Sequence, residues 1–157
     1  MEKMRAARMV DVGRMVCEEI EIPPIDDGQV LIESEMASIC GSDLHLVMMG
    51  AGLNHPFPCP HGYPGHEGIG RIVESKAAGL EEGQQVLTFP NPVVGECFNE
   101  YQRVGASYCV PLPECELPRS YLLMAQQLGT VIYAIRQHYI AYCNISQPPT
   151  SASFLCS

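Results

Sequence analysis

Two short polar segments dominate the chain. Residues 39–45 have the sequence ICGSDLH, and residues 64–68 have the sequence PGHEG. Thiolate and imidazole are ligands that zinc prefers, and a neighbouring carboxylate can orient an imidazole ligand. The residue types therefore suggest a metal site built on Cys40 and His66. A buried thiol and a hydrogen-bonded loop histidine are the alternative that the residue types alone leave open.

The composition is that of a folded domain without nucleic-acid or membrane partners. The 157 residues are 46% hydrophobic and 17% charged, and this length suits one core of ordinary domain size. The net charge of −9, with no basic stripe, repels phosphate backbones, so we expect no nucleic-acid partner. No run approaches the roughly 18 apolar residues that span a bilayer, and no apolar secretory signal begins the chain.

The cysteines indicate a reducing compartment. The eight cysteines are scattered along the chain, and no two form a Cys-x-x-Cys pair. Most of them lie among apolar, strand-like residues, where a free thiol behaves as a small buried hydrophobe. We therefore expect free thiols and a cytoplasmic location.

Short strands joined by turns are predicted over most of the chain. Within Gln29–Ser38, the apolar residues Val30, Ile32 and Met36 alternate with acidic ones, which predicts a half-buried strand. Further strands are predicted at Arg5–Val10, Met15–Ile22, Gly68–Ser75, Gln84–Phe89, Phe98–Val104 and Ser107–Pro111. Because no βαβ pattern interrupts them, the strands favour a barrel or a sandwich.

The pattern changes to a helical period near the C-terminus. Apolar residues recur at helical spacing between Ser120 and Tyr139, and Ser120 is a suitable N-cap after Pro118. The segments predicted from these patterns are a β domain over 1–119, a linking helix over 120–142 and a disordered tail over 143–157.

The two polar segments resemble the paired signatures of the zinc-containing medium-chain dehydrogenase/reductase family, the alcohol and polyol dehydrogenases. Cys40-Gly41-Ser42-Asp43-x-His45 resembles the first zinc-ligand segment of that family, and Gly65-His66-Glu67 resembles the second. The resemblance extends from about Met4 to Gln137. It implies a mainly β fold with a C-terminal helix, namely a GroES-like, partly open β-barrel.

The resemblance implies a role for each residue of the two segments. Cys40 and His66 would hold one catalytic zinc, and Asp43 would accept the second imidazole N–H of His66. Ser42 would hold the substrate hydroxyl and pass its proton to His45, which would extend the relay towards solvent. Zinc lowers the pKa of a bound alcohol, the relay removes its proton, and hydride can then leave the carbon.

The third zinc ligand departs from the family pattern. The usual cysteine or glutamate is replaced at the matching position by Gln126, whose amide oxygen is a weaker zinc ligand. Glu67 would lie beside the metal and could fill the gap, either as a ligand or as a support for one. His61 and Cys59 are further alternatives. Since the four-cysteine lobe of many relatives is absent, we expect no structural zinc.

The resemblance stops before the cofactor domain of the family. No Gly-x-Gly-x-x-Gly turn is present, and about twenty residues after Gln137 are too few for a βαβ unit. We expect a chain truncated before the Rossmann domain, which would bind NAD(P) only if a cofactor domain were supplied. It would be inactive alone, whereas the full-length relative would act on a small-molecule alcohol or polyol. The alternative is a non-enzymatic barrel that binds zinc or a partner, with possible self-association through the exposed C-terminal helix.

Overall fold

The computed structural model describes residues 2–50, 52, 55–89 and 95–146, with side chains described up to residue 139. Contacts divide the chain into two units, Met1–Leu123 and Met124–Ser157. Each unit is described by itself below.

Two antiparallel sheets form the first unit. The first sheet is a hairpin of β1 (Lys3–Asp11) and β2 (Arg14–Glu21). The second sheet has five strands in the spatial order β6-β3-β4-β5-β7. Its strands are β3 (Gln29–Ala37), β4 (Gly68–Ser75), β5 (Gln85–Thr88), β6 (Tyr101–Gly105) and β7 (Cys109–Pro111).

Helical segments connect and follow these strands. Helix α1 (Gly41–Met49) lies between β3 and β4, and a short 3₁₀ turn (Ala106–Tyr108) precedes β7. Helix α2 (Arg119–Ser146) ends the described chain. The prediction of a mainly β fold with a C-terminal helix is confirmed. Every strand pair in the described residues is antiparallel, so this part of the chain contains no Rossmann unit.

The predicted orientation of Met36, near the C-terminal end of β3, is wrong. Val30 and Ile32 are fully buried as the alternation predicts, but Met36 is 38% exposed. The pairing of β3 with β4 shifts register between Ser34 and Met36. An extra residue in one strand reverses the direction of the side chains that follow it, so Met36 points away from the buried face.

The core of the first unit consists of three apolar clusters. The largest fills one face of the five-stranded sheet and contains Val30, Ile32, Ile72, Leu80, Val86, Val104 and Cys109. A second joins β1 to α1 and the following loop through Met9, Leu46, Cys59 and Tyr63. A third packs the first turn of α2 on β4 and β5 through Ile69, Leu87, Leu122 and Leu123. Each large side chain buried in this way contributes about 1.5–3 kcal/mol.

Helix α2 extends further than the helix predicted over 120–142. It begins at Arg119, directly after Pro118, and continues to Ser146. Residues 143–146 of the predicted disordered tail are therefore helical, while 147–157 lie outside the described residues.

Neither described helix has the combination of length and apolar character that a membrane crossing requires. The cytoplasmic location expected from the cysteine pattern stays a prediction.

Candidate metal centre

The N-terminus of α1 fixes the position of Cys40. Cys40 is the N-cap residue, with extended backbone angles, and Asp43 occupies the third helical position. The Cys40 backbone N–H donates to Asp43 Oδ2 over 2.9 Å, and the Asp43 N–H donates to the Cys40 carbonyl over 3.1 Å. These reciprocal bonds satisfy donors that a helix start leaves unpaired, and they hold Cys40 at the end of the helix.

A glycine-rich turn presents the second polar segment. The Gly62 N–H donates to the Ala7 carbonyl over 2.7 Å, and the Gly65 N–H donates to the Gly62 carbonyl over 3.0 Å. A Cβ atom on Gly65 would lie 2.7 Å from the Phe98 ring, so only glycine allows this close approach. The turn therefore carries residues 66–67 into the start of β4 in one defined position.

The structure brings the two polar segments together. Cys40, His66 and Glu67 each offer one ligand atom, and the three atoms lie within 4.8 Å of one another. The His66 side chain is 12% exposed and Glu67 is 3% exposed, whereas Cys40 is half-buried. A thiolate, an imidazole and a carboxylate facing one point form a donor set that zinc accepts.

Two acceptors determine the tautomer of His66. Its Nδ1 atom lies 3.1 Å from the Pro64 carbonyl oxygen and 3.0 Å from Asp43 Oδ1. The Nδ1–H is aligned with the Pro64 carbonyl, and the Asp43 oxygen flanks it. Because neither oxygen can donate, the proton belongs on Nδ1, which leaves the Nε2 lone pair available to a metal.

The same surroundings stabilise the protonated form of His66 in the metal-free site. The Asp43 carboxylate is the main cause that raises the pKa of His66 to about 9, and the Pro64 carbonyl and Cys40 add to it. Burial of the imidazole opposes the rise. A metal that binds Nε2 therefore displaces a proton from this histidine.

Ser38 supports the Glu67 carboxylate. The Ser38 hydroxyl donates to Glu67 Oε2, and the Ser38 backbone N–H donates to the Glu67 carbonyl over 3.1 Å. Ser38 directly follows β3, and Glu67 directly precedes β4. The two bonds join the ends of neighbouring strands and fix the direction of the carboxylate.

Ser42 and His45 lie on the exposed side of α1. They are three residues apart, which makes their side chains neighbours on the helix surface, and both are exposed, whereas Asp43 and Leu46 are buried. His45 Nδ1 lies 2.9 Å from the Gly41 carbonyl oxygen. Since a carbonyl only accepts, the His45 proton belongs on Nδ1 and Nε2 is an acceptor open to solvent.

Two of the alternative ligands, His61 and Cys59, lie outside this cluster. His61 Nε2 lies 2.8 Å from Glu18 Oε2. Cys59 is buried in the second apolar cluster, where burial raises the pKa of its thiol. Gln126 lies on α2 in the second unit, and its role as a ligand stays a prediction.

The sequence did not point to three buried polar residues next to the glycine-rich turn. Hydrogen bonds join Gln102 to Thr88 and to Cys97, while the Thr88 hydroxyl and the Cys97 backbone N–H also contact that turn. Only the burial of Gln102 could have been predicted, because the period-two alternation of β6 places Gln102 on the same buried face as Val104.

Comparisons with known proteins identify the family. The family model for the alcohol dehydrogenase GroES-like domain matches residues 26–114. An NAD-dependent alcohol dehydrogenase of Sulfurisphaera tokodaii is 32% identical over 128 residues, which cover 74% of this chain and 33% of the relative. The 5-exo-hydroxycamphor dehydrogenase of Pseudomonas putida is 42% identical over 105 residues, covering 62% of this chain and 28% of the relative.

Solved structures share the fold. The crystal structure of L-idonate 5-dehydrogenase from Escherichia coli superposes with a TM-score of 0.71 at 25% identity, covering 87% of this chain and 47% of that one. The chain thus spans about a third of the length of the curated relatives and less than half of this solved relative. Because the family match covers more than half of its residues, the chain belongs to the alcohol dehydrogenase GroES-like domain family.

Proposed function

We propose that this chain supplies the zinc-binding catalytic domain of an NAD(P)-linked oxidoreductase that acts on the CH–OH group of an alcohol or polyol. The observation that carries the proposal is the convergence of Cys40, His66 and Glu67 within 4.8 Å. The names of the relatives agree in chemistry, since they describe dehydrogenases of an alcohol, of hydroxycamphor and of L-idonate.

The residues present fit one zinc ion. Cys40 provides a thiolate, His66 an Nε2 lone pair with its proton held on Nδ1, and Glu67 a carboxylate held by Ser38. Asp43 and Ser38 are the kind of neighbours that orient zinc ligands in proteins. Zinc bound there would supply a Lewis acid that lowers the pKa of an alcohol. Gln126 is a candidate additional ligand, so Gln126→Ala should weaken zinc binding in a zinc titration, and unchanged affinity would rule this role out.

Two side chains of α1 have the arrangement for moving the proton. The Ser42 hydroxyl lies in the first turn, two residues from Cys40, and it would hold the substrate hydroxyl. His45, on the same face, would take up the proton at Nε2 because its Nδ1–H is held by the Gly41 carbonyl. Its exposure allows it to pass that proton to solvent.

We expect this chain alone to oxidise no alcohol. The described residues contain no phosphate-binding turn between a parallel strand and a helix, so nothing there holds a nicotinamide beside the substrate. Purified chain mixed with NAD or NADP and a panel of alcohols and polyols should produce no reduced nicotinamide absorbance. Turnover by this chain alone would contradict the expectation.

A chimera tests the oxidoreductase assignment. Residues 1–137 joined to the part of Escherichia coli L-idonate 5-dehydrogenase that this chain does not cover should reduce NAD or NADP with at least one alcohol or polyol. Ser42→Ala and His66→Ala should abolish this activity, while Asp26→Asn, in an exposed turn, should leave it unchanged. A folded chimera that binds zinc and nicotinamide but oxidises none of the panel would refute the assignment.

The second candidate function is that of a non-enzymatic barrel that binds a partner or a second copy of itself. The observation in its favour is the exposed apolar surface of α2 in the second unit, which includes Leu128, Val131, Ile132 and Ile135. Size-exclusion chromatography with light scattering should then find an assembly that Leu128→Lys disperses. A well-behaved monomer at high concentration would count against this candidate.

A further inference from the structure

Three buried polar side chains adjoin the turn that carries His66 and Glu67. Thr88 and Gln102 are fully buried, and Cys97 is 2% exposed. Thr88 ends β5, Gln102 lies in β6, and Cys97 precedes β6. We call these three residues the polar clamp.

The polar clamp holds the backbone on both sides of the two ligands. The Cys97 N–H donates to the Gly65 carbonyl over 3.1 Å, directly before His66. The Thr88 hydroxyl lies 3.2 Å from the Gly68 carbonyl oxygen, directly after Glu67. The two contacts therefore bracket the ligand pair.

Gln102 links the two arms of the polar clamp. Its Oε1 atom lies 3.2 Å from both Cys97 Sγ and Thr88 Oγ1, and its Nε2 donates to Ser34 Oγ over 3.0 Å. Burial raises the pKa of the Cys97 thiol to about 12, so the thiol keeps its proton at neutral pH and can donate it to Gln102. The Thr88 hydroxyl proton has two acceptors at 3.2 Å, the Gly68 carbonyl oxygen and Gln102 Oε1, so Thr88 links the turn to Gln102.

The polar clamp contacts the turn without intervening space. A Cβ atom added to Gly68 would lie 2.9 Å from Thr88 Oγ1, and 3.0 Å from both Cys97 Sγ and Gln102 Nε2. Because buried atoms are packed this closely, a change in the polar clamp is transmitted to the turn.

We propose that Thr88, Cys97 and Gln102 are positioning residues that hold His66 and Glu67 in the geometry needed for metal binding. This inference rests on the proposed function, because it assumes that the ligand pair binds a metal. Residues that support metal ligands typically change affinity by about 10–100-fold when replaced, and the lower end is expected here because the polar clamp acts through the backbone.

Thr88 offers a matched pair of variants. Thr88→Val keeps the shape of the side chain and removes the hydroxyl, whereas Thr88→Ser keeps the hydroxyl. Val30→Ala serves as the control, because Val30 is equally buried but belongs to the apolar cluster of the sheet. Three measurements are made on the purified chain: zinc affinity by chelator competition, the visible spectrum of the cobalt-substituted protein, and metal-free amide exchange of residues 65–68.

The expected result separates positioning from stability. Thr88→Val should weaken zinc binding about 10-fold, shift the cobalt bands and speed exchange at residues 65–68. Thr88→Ser should match the wild type. Val30→Ala should lower the thermal midpoint and leave the zinc affinity and the cobalt spectrum unchanged.

Two results would overturn the inference, and a third would refute the proposed function instead. Unchanged zinc affinity and cobalt spectrum in Thr88→Val would overturn it, and so would an equal loss of affinity in Val30→Ala. A wild-type chain that binds neither metal would refute the proposed function instead. In that case faster exchange in Thr88→Val than in Val30→Ala would show that the polar clamp holds residues 65–68, and equal exchange would overturn that part of the inference as well.

Discussion

Replacing Asp43 by asparagine should weaken zinc binding by about 10–100-fold. The Asp43 carboxylate, 1% exposed, faces two donors at once: its Oδ2 accepts the Cys40 N–H over 2.9 Å, and its Oδ1 lies 3.0 Å from His66 Nδ1. An asparagine must turn its NH₂ group towards one of these donors, so one favourable contact becomes a repulsive one. A hydrogen bond to a charged group contributes about 1.5–3 kcal/mol, and 1.4 kcal/mol corresponds to about a factor of ten.

Chelator competition at a pH above the His66 pKa of about 9, where no proton competes with zinc for Nε2, measures the effect on the purified chain. Asp26→Asn is the matched control, because Asp26 is exposed in the turn before β3 and should keep wild-type affinity. Circular dichroism checks that Asp43→Asn remains folded. Zinc affinity within a factor of about two of wild type in folded Asp43→Asn would show that the carboxylate does not orient the ligands.

Two further predictions concern stability and pH. A Cβ atom on Gly95 would clash with the Gly65 carbonyl oxygen, so Gly95→Ala should destabilise the fold by about 1–3 kcal/mol in urea unfolding. Gly129→Ala is the control, because a Cβ atom on Gly129 would meet no atom within 4 Å and alanine stabilises a helix by up to about 1 kcal/mol relative to glycine. Equal effects of the two variants on stability would contradict the packing argument. Burial raises the pKa of the Cys109 thiol from 9.0 to about 12, so the unfolded chain loses this proton at lower pH than the folded chain. This thiol's contribution to stability is complete below pH 9.0 and is lost as the pH rises towards 12, by up to about 1.4 kcal/mol per pH unit. Urea unfolding of Cys109→Ala should show a shallower decline from pH 9 to 10.5 than wild type, and identical slopes would disprove the argument.

Local patterns were sufficient to predict most of the fold. Alternation in β3 and β4 and the helical period of α2 each reflect which face of an element is buried, and burial depends on residues a few positions apart. The predicted burial of Met36 was wrong because a register shift depends on the partner strand, and the sequence of one strand does not determine it. The predicted end of α2 was four residues short because the apolar period fades before the last described turn of the helix.

The candidate site was also only partly predictable from the sequence. Cys40, Asp43 and His66 lie in two compact motifs, so residue types and the family resemblance pointed to them, and the structure places them in contact. Ser38 and the polar clamp act through contacts between residues far apart in sequence, such as Gln102 with Ser34. Such contacts follow from strand order and register, which the sequence pattern alone did not supply.

The most direct test of the central claim is the zinc content per chain, measured by elemental analysis after purification. The wild type should hold about one zinc, as expected for a site with one cluster of ligands, and Cys40→Ser and His66→Ala should both lose it. Cys17→Ser, which removes an exposed thiol outside the cluster, should retain the metal. A folded wild-type chain without zinc, or zinc that persists in both ligand variants, would contradict the assignment of this site as a metal centre.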